Sequence, residues 1–306
     1  MRLSVIVATR NRVHTIVGCL ASIAAAFANA APLDAEIVVV DNGSRDATTA
    51  AVQQWASGSP YPVRLLQEPE AGLSRAHNRA LRAVPGELLA FTDDDCRLSK
   101  DYVKDLLRHD VSDGDELVLR GGRIELGDPT DLPLTIKTTA TPTRFNRQAP
   151  NFTTHDRIIG QISGCNMAMR RAMVERLGPF DERFGPGAVI TSGTDADYVL
   201  RAYISGITIE YVPDMAVFHH HGRKQKLAGY KVMRGYAIGA GALYAKYVFK
   251  HPHLCRPFLW DVKAAIKEVL SGSNTYYPVV GFSFKHKVAY GLLGAVRFYS
   301  LAGRRA

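Results

Sequence analysis

The sequence predicts an α/β protein built on a mostly parallel central sheet with flanking helices, followed by a helical, basic, amphipathic extension. Short β-branched apolar runs alternate with helical stretches from residue 3 to residue 91. Each of these runs ends on polar or acidic residues. The charge balance then changes abruptly near residue 222.

The elements follow in order. Residues 3–8 read as a strand, 14–27 as a helix, 36–40 as a strand and 47–55 as a helix. A third strand spans 63–66, a helix 73–83 and a fourth strand 88–91. Such alternation implies right-handed βαβ units and a sheet covered on both faces. Residues 117–119 and 123–126 read as two further strands, and 129–150, rich in Thr and Pro, as a surface loop. Helices are expected at 171–177 and 195–205, with strands at 208–212 and 215–218. Beyond Gly222, the stretches 236–249 and 288–302 read as amphipathic helices. The expected division is therefore 1–222, with halves 1–100 and 101–222, and an extension 223–306.

The 306 residues are 46% apolar and 22% charged, a globular composition. Cys19, Cys96, Cys165 and Cys255 form no CxxC pair and no zinc spacing, which fits a reduced cytoplasmic compartment. Residues 15–31 superficially resemble a signal-peptide region, but cleavage there would remove the first strand. No apolar run reaches the ~18–20 residues of a spanning helix. Residues 222–306 carry 15 basic and 2 acidic side chains, a net of +13, whereas residues 1–221 carry a net of −4. That split suggests an anionic surface as partner. No nucleic-acid module is recognisable, so nucleic acid is not the expected one.

Asp93, Asp94 and Asp95 follow the strand 88–91 directly. At ~4 Å and an effective dielectric near 20, each carboxylate pair costs about 4 kcal/mol before relaxation. A divalent cation with oxygen ligands, Mg²⁺ or Mn²⁺, would relieve this; an acidic turn or a helix cap is the plainer alternative. In open α/β sheets ligands collect beyond the carboxyl ends of strands, where Thr9 to Arg12, Asp41 to Ser44, Glu68 and the aspartates should converge. GxGxxG and GxxxxGK[ST] are both missing, which argues against a dinucleotide enzyme or a P-loop NTPase.

Seven motifs stand in order: Ser4-Val-Ile-Val-Ala-Thr-Arg-Asn-Arg12, Val38-Val-Val-Asp-Asn-Gly-Ser44, Ala71-Gly-Leu-Ser-Arg-Ala-His-Asn-Arg79, Phe91-Thr-Asp-Asp-Asp95, Gly164-Cys-Asn-Met-Ala-Met-Arg170 with Gly178-Pro-Phe-Asp181, Gly193-Thr-Asp-Ala-Asp197, and Val217-Phe-His-His-His-Gly222. In this series the chain resembles, over about residues 1–222, the family 2 glycosyltransferases. These are inverting enzymes of the GT-A fold that use nucleotide-diphosphate sugars, here of the type that builds bacterial polysaccharides and lipid-linked glycans.

The resemblance implies a nucleotide-binding first half and a catalytic and acceptor second half. It implies that Asp41 accepts a hydrogen bond from the nucleotide base, with Ala8 and Thr9 lining that pocket and Arg12, Arg75 and Asn78 near the diphosphate. Gly72 would let backbone pass close to the nucleotide. Asp95 is expected to ligate Mn²⁺ or Mg²⁺ directly, with Asp93 nearer the ribose or bound through water, and Asp94 beside them. His219 aligns best as a further ligand, and His221 second. Asp195 is the candidate base, Asp197 its rival, and Gly164, Cys165 and Asn166 should line the donor-sugar and acceptor junction. Thr194 stands where the family commonly has a glutamate, which puts the acceptor class in doubt.

The expected reaction moves a sugar from a UDP-, dTDP- or GDP-linked donor to a hydroxyl of a glycan or lipid-linked acceptor. A non-catalytic sugar-nucleotide-binding scaffold is the alternative, and a nucleotidyltransferase a weaker one. For the extension two expectations stay open. One is docking on the anionic cytosolic face of an inner membrane through Lys246, Lys250, Lys285, Lys287, Arg297, Arg304 and Arg305. The other is packing on the catalytic domain or on a second copy in a homodimer.

Overall fold

The computed structural model describes residues 2–148 and 158–302. Strands β1 (Leu3–Thr9), β2 (Ala35–Asp41), β3 (Val63–Gln67) and β4 (Leu88–Asp93) pair in parallel in the order β3-β2-β1-β4. Helices α1 (Ile16–Asn29), α2 (Thr48–Ser57) and α3 (Leu73–Ala83) connect them. Alternate side chains of β1 enter different cores: Val5 and Val7 pack under α1, while Ile6 packs under α3. Burial on both faces is why these strands read as continuous apolar runs. The 15–31 stretch is largely α1, whose Ile16, Leu20, Ile23 and Phe27 lie in the core.

The second half comprises β5 (Cys96–Leu98), α4 (Tyr102–Ser112), β6 (Val118–Leu126), β7 (Thr143–Phe145), β8 (Met167–Arg170), α5 (Arg171–Leu177), α6 (Thr194–Ile204) and β9 (Thr208–His219). The sheet continues β4-β8-β6-β9-β5, with β7 also on β9. Here β8, β5 and β7 pair antiparallel and β6 with β9 parallel, so the whole sheet is mixed.

Several expectations need correction. The strands expected at 117–119 and 123–126 are one strand, β6, bulged at Gly122 and Arg123. A Cβ on Gly122 would lie 1.8 Å from Met215 O, so the backbones touch there. The strands at 208–212 and 215–218 are likewise one, β9. The loop 129–150 contains β7, and its residues 149 and 150 lie outside the described residues.

The extension forms α7 (Lys226–Tyr247), α8 (Arg256–Ser271) and α9 (Phe284–Ala302). Helices α7 and α9 cross through glycines: a Cβ on Gly241 would sit 1.9 Å from Gly291 O, and one on Gly294 2.0 Å from Ile238 O. Ile238, Ala242 and Leu243 join the main core. The stretches 236–249 and 288–302 are therefore chiefly packing helices. Lys246, expected to face headgroups, instead pairs with Asp181 at 2.8 Å and with fully buried Asp197 at 2.5 Å. Lys287 likewise pairs with Asp261 at 2.8 Å. Lys250 and Lys285 are exposed, Arg297 is half-buried, and Arg304 and Arg305 lie outside the described residues.

Candidate functional site

The carboxyl ends of β1 and β4 open on a cavity of about 600 Å³. The end of β4 delivers Asp93, the chain turns at Asp94 and Asp95, and β5 pairs antiparallel with the end of β9, setting Cys96 opposite His219. His220 N–H donates to Asp95 O at 2.7 Å, which locks the two segments together. Two motifs far apart in sequence thereby meet. Oxygens of Asp93 and Asp95 and a ring nitrogen of His219 all lie within 4.8 Å of one another.

The trio is a tight cluster of charge. His219 Nε2 lies 3.2 Å from Asp95 Oδ1, and its Nδ1 3.1 Å from Thr135 Oγ1. Burial opposes a charged ring, but the Asp95 bond and the neighbouring carboxylates outweigh it and push the imidazole up to about 9. For Asp95 burial would raise the carboxyl; His219 and Arg12 outweigh it and hold it low. For Asp93 burial first, then Asp95, outweigh the lowering by His219 and raise its carboxyl to about 7. Burial also lifts Asp94, to about 6, although Arg12 stands 3.4 Å away. Two hard carboxylates and one imidazole suit Mn²⁺ or Mg²⁺, and a cation among them would relieve the remaining repulsion. His219 also lies within 4.8 Å of the Cys96 and Cys165 thiols. The hydrogen bond with Cys165 and burial raise the Cys96 thiol well above its usual value, which keeps that thiol protonated.

Asp195 stands at the start of α6 and borders the same cavity. Its Oδ2 accepts from Gly164 N–H and its Oδ1 from Ala196 N–H, both at 2.8 Å. Burial nevertheless outweighs these donors and raises its carboxyl. The rival, Asp197, is fully buried and committed to Arg201, Lys246 and Tyr247. It is a clamp between the extension and α6.

Ala8, Thr9, Arg12, Asp93, Asp94, Asp95, Gly164, Cys165, Thr194, Asp195 and His219 all border the cavity. Thr194 spends its hydroxyl on Phe184 O and Ser74 Oγ, both at 3.2 Å. Other predicted residues are elsewhere. Asp41 lies one position before the cavity residue Asn42, its oxygens held by Ser44 N–H and Thr49 Oγ1. Gly72, at φ +152°, packs its backbone on Gly187, where an added Cβ would come within 2.9 Å of Gly72 N. Arg75 turns to Glu70 and Glu182, each at 3.1 Å. Asn78 clamps Phe180 through both main-chain polar groups. Asn166 donates to Arg123 O and Met215 O, filling the β6–β9 bulge. His221 bonds Leu132 O and accepts from Arg223 N–H, leaving His219 as the ligand candidate.

Sequence reasoning missed Arg223, Lys231 and Tyr236, which border the cavity from the extension. Arg223 Nη1 is buried with no hydrogen-bond partner among the described residues. The assignment of all residues beyond 222 to a separate unit concealed them.

Residues 4–178 match the profile of the family described as Glycosyl transferase family 2. Glycosyltransferase AglE of Haloferax volcanii is 24% identical over 184 residues, 60% of this chain and 56% of its own length. Poly(ribitol-phosphate) beta-N-acetylglucosaminyltransferase TarS of Staphylococcus aureus is 26% identical over 72% of this chain and 35% of its own length. The chain thus spans about half or less of the curated relatives it matches. Among solved structures, mannosyltransferase PcManGT from Pyrobaculum calidifontis, in complex with GDP-Man and Mn²⁺, superposes with a TM-score of 0.61 at 20% identity, over 97% of this chain and 86% of that one. TarS 1-349 of S. aureus with UDP-GlcNAc gives 0.57 at 22%, over 88% and 77%. Both likenesses support the GT-A fold.

Proposed function

The chain belongs to glycosyl transferase family 2, and on that premise we propose that it moves a sugar, with inversion, from a nucleotide-diphosphate sugar to a hydroxyl of a glycan or lipid-linked acceptor. The supporting observation is that a single cavity presents both the Asp93, Asp95 and His219 trio and the carboxylate of Asp195. One feature suits the departing diphosphate, the other the attacking hydroxyl.

The acceptor oxygen attacks the anomeric carbon as the bond to the diphosphate oxygen breaks. Asp195 takes the hydroxyl proton, held in place by Gly164 N–H. Arg12, Arg223 and Lys231 supply fixed positive charge along the cavity, and Arg223 Nη1 has a donor to spare. Asp93, Asp95 and His219 would hold Mn²⁺ or Mg²⁺, whose charge offsets that of the leaving nucleoside diphosphate. The relatives' complexes with UDP-GlcNAc and with GDP-Man and Mn²⁺ favour the same donor class. Ala8, Thr9 and Asn42 line the part of the cavity that would take the base, with Asp41 one position before Asn42.

The test is thermal stabilisation by UDP-, dTDP- and GDP-sugars with and without Mn²⁺, followed by turnover of the best donor. Asp195→Asn should cut turnover about 10²- to 10⁴-fold while donor stabilisation persists. Turnover unaffected by this substitution, or by removal of metal with EDTA, overturns the reading.

We further propose that α8 meets the anionic cytosolic face of a membrane. Leu259, Ile266, Val269 and Leu270 are exposed on it, interspersed with Lys263 and Lys267. Among the described residues no helix is long and apolar enough to cross a membrane. Flotation of the full chain with anionic liposomes, lost when Leu259, Ile266 and Leu270 are changed to Ser, is the expected result. Equal flotation of both proteins would refute it.

A further inference from the structure

The thiols of Cys96 and Cys165 and a ring nitrogen of His219 form a second set of donors, all within 4.8 Å of one another. Pairing of β5 with β9 sets Cys96 opposite His219. Cys165 comes from the turn that enters β8, where Asn166 N–H donates to Ser163 O at 3.0 Å. Thr92 Oγ1 on β4 donates to the Cys165 carbonyl, also at 3.0 Å. All three side chains are buried, yet Cys165 and His219 border the 600 Å³ cavity, so an ion in that cavity has a way to them.

A buried thiol on its own usually only fills space. Here two stand with an imidazole, and the set differs in chemistry from the one beside it. Thiolate is a soft ligand that selects zinc, whereas Mn²⁺ and Mg²⁺ favour carboxylate oxygens. Zn–S bonds of about 2.3 Å in a tetrahedron put two sulfurs about 3.8 Å apart, so the donors need to close by roughly 1 Å. His219 belongs to both sets. Its Nδ1 is engaged by Thr135 Oγ1, which leaves Nε2, the nitrogen facing Asp95, for a metal in either set. One lone pair serves one ion at a time.

We propose that Cys96, Cys165 and His219 form an inhibitory site for a thiophilic divalent ion, Zn²⁺, which takes His219 from Asp93 and Asp95. Each thiol gives its proton to solvent as its sulfur–metal bond forms, and water or a neighbouring carboxylate oxygen completes the tetrahedron. The competition with Mn²⁺ rests on the assignment of Asp93, Asp95 and His219 to that metal under the transferase reading. Zinc binding at the thiols does not.

Spectroscopy tests this without turnover. The untagged full-length protein, reduced and free of metal, is titrated with Cd²⁺, whose ultraviolet charge-transfer band reports thiolate ligation. One equivalent per chain should saturate the band; Zn²⁺ should abolish it, and Mn²⁺ and Mg²⁺ should leave it. Cys96→Ala and Cys165→Ala should each weaken Cd²⁺ at least about tenfold, whereas Cys255→Ala, outside the set, should bind it as the original chain does. Retained UDP affinity in each variant reports an intact fold. Free Mn²⁺ is then followed by electron paramagnetic resonance in the presence of UDP. One equivalent of Zn²⁺ should raise the Mn²⁺ dissociation constant at least about tenfold in the original chain and much less in Cys96→Ala. No band, or a band of full strength in both Cys96→Ala and Cys165→Ala, would overturn the thiol site. Mn²⁺ affinity unmoved by Zn²⁺ would overturn the competition. Absence of Mn²⁺ binding before zinc is added would instead overturn the oxygen-site assignment, and the Cd²⁺ result would stand apart from it.

Discussion

Three consecutive histidines look equivalent in a sequence, and only pairing geometry separates them. The strand β9 ends at His219, whose ring meets Asp95, while His221 lies beyond the strand and bonds Leu132 O and Arg223 N–H. We predict that His219→Gln raises the Mn²⁺ concentration for half-maximal activity at least about tenfold, whereas His221→Gln changes it much less. Metal titration of turnover measures both; equal effects would return His221 to the ligand set. Asp195 carries a pH prediction. As the proposed base it must be ionised, and burial raises its folded-state pKa above the ordinary value of about 3.9. Activity at saturating metal should therefore fall as pH drops through that raised pKa, with the acid limb of kcat/KM above the usual carboxylate range. That the aspartates and Asp195 would border one cavity was legible in the sequence. That Asn78, Arg75 and Asn166 serve the fold was not, since a polar side chain has one identity whether it meets a ligand or a main-chain carbonyl.

Among the first elements the reading was surest where the chain is apolar and buried almost throughout, in β1, β2 and β4, and along the buried stripe of α1. What escaped the sequence reading were β5, β7 and β8, each of three or four residues. Such strands exist through their partners: β5 is held by three register positions on β9 and has too few residues for a pattern of its own. Yet β5 is what brings Asp95 to His219. The glycines of α7 and α9 escaped too, since glycine is a poor helix former and its value here is the close approach of two backbones. Gly241→Ala would place a methyl 1.9 Å from Gly291 O, backbone that cannot turn aside. We expect a loss of about 1–3 kcal/mol or more by urea unfolding, and a weaker effect from Gly272→Ala, whose Cβ would meet open space but whose φ of +66° carries strain. The reverse order would mean that the helices do not cross as described.

At the scale of the molecule, the charge split at residue 222 separates two compositions without separating two bodies. The extension brings Arg223, Lys231 and Tyr236 to the cavity of the candidate site, Met233 and Leu254 to a second, adjoining apolar cavity, and Ile238 and Leu243 to the core. Its Lys246 neutralises Asp197, a carboxylate with no exposure to water. Losing such a partner typically costs about 3–5 kcal/mol, of the order of a domain's whole stability. The basic residues thus answer the acidic first part of the chain as well as any outside surface. A chain ending at Gly222 should then lose cooperative unfolding, and its UDP affinity should fall at least about tenfold for want of Arg223 and Lys231. Calorimetry and UDP titration of the shortened and full chains read both effects. If residues 1–222 unfolded cooperatively and bound UDP as the full chain does, the extension would be an appendage after all, and the second cavity would have no reason to be built from it.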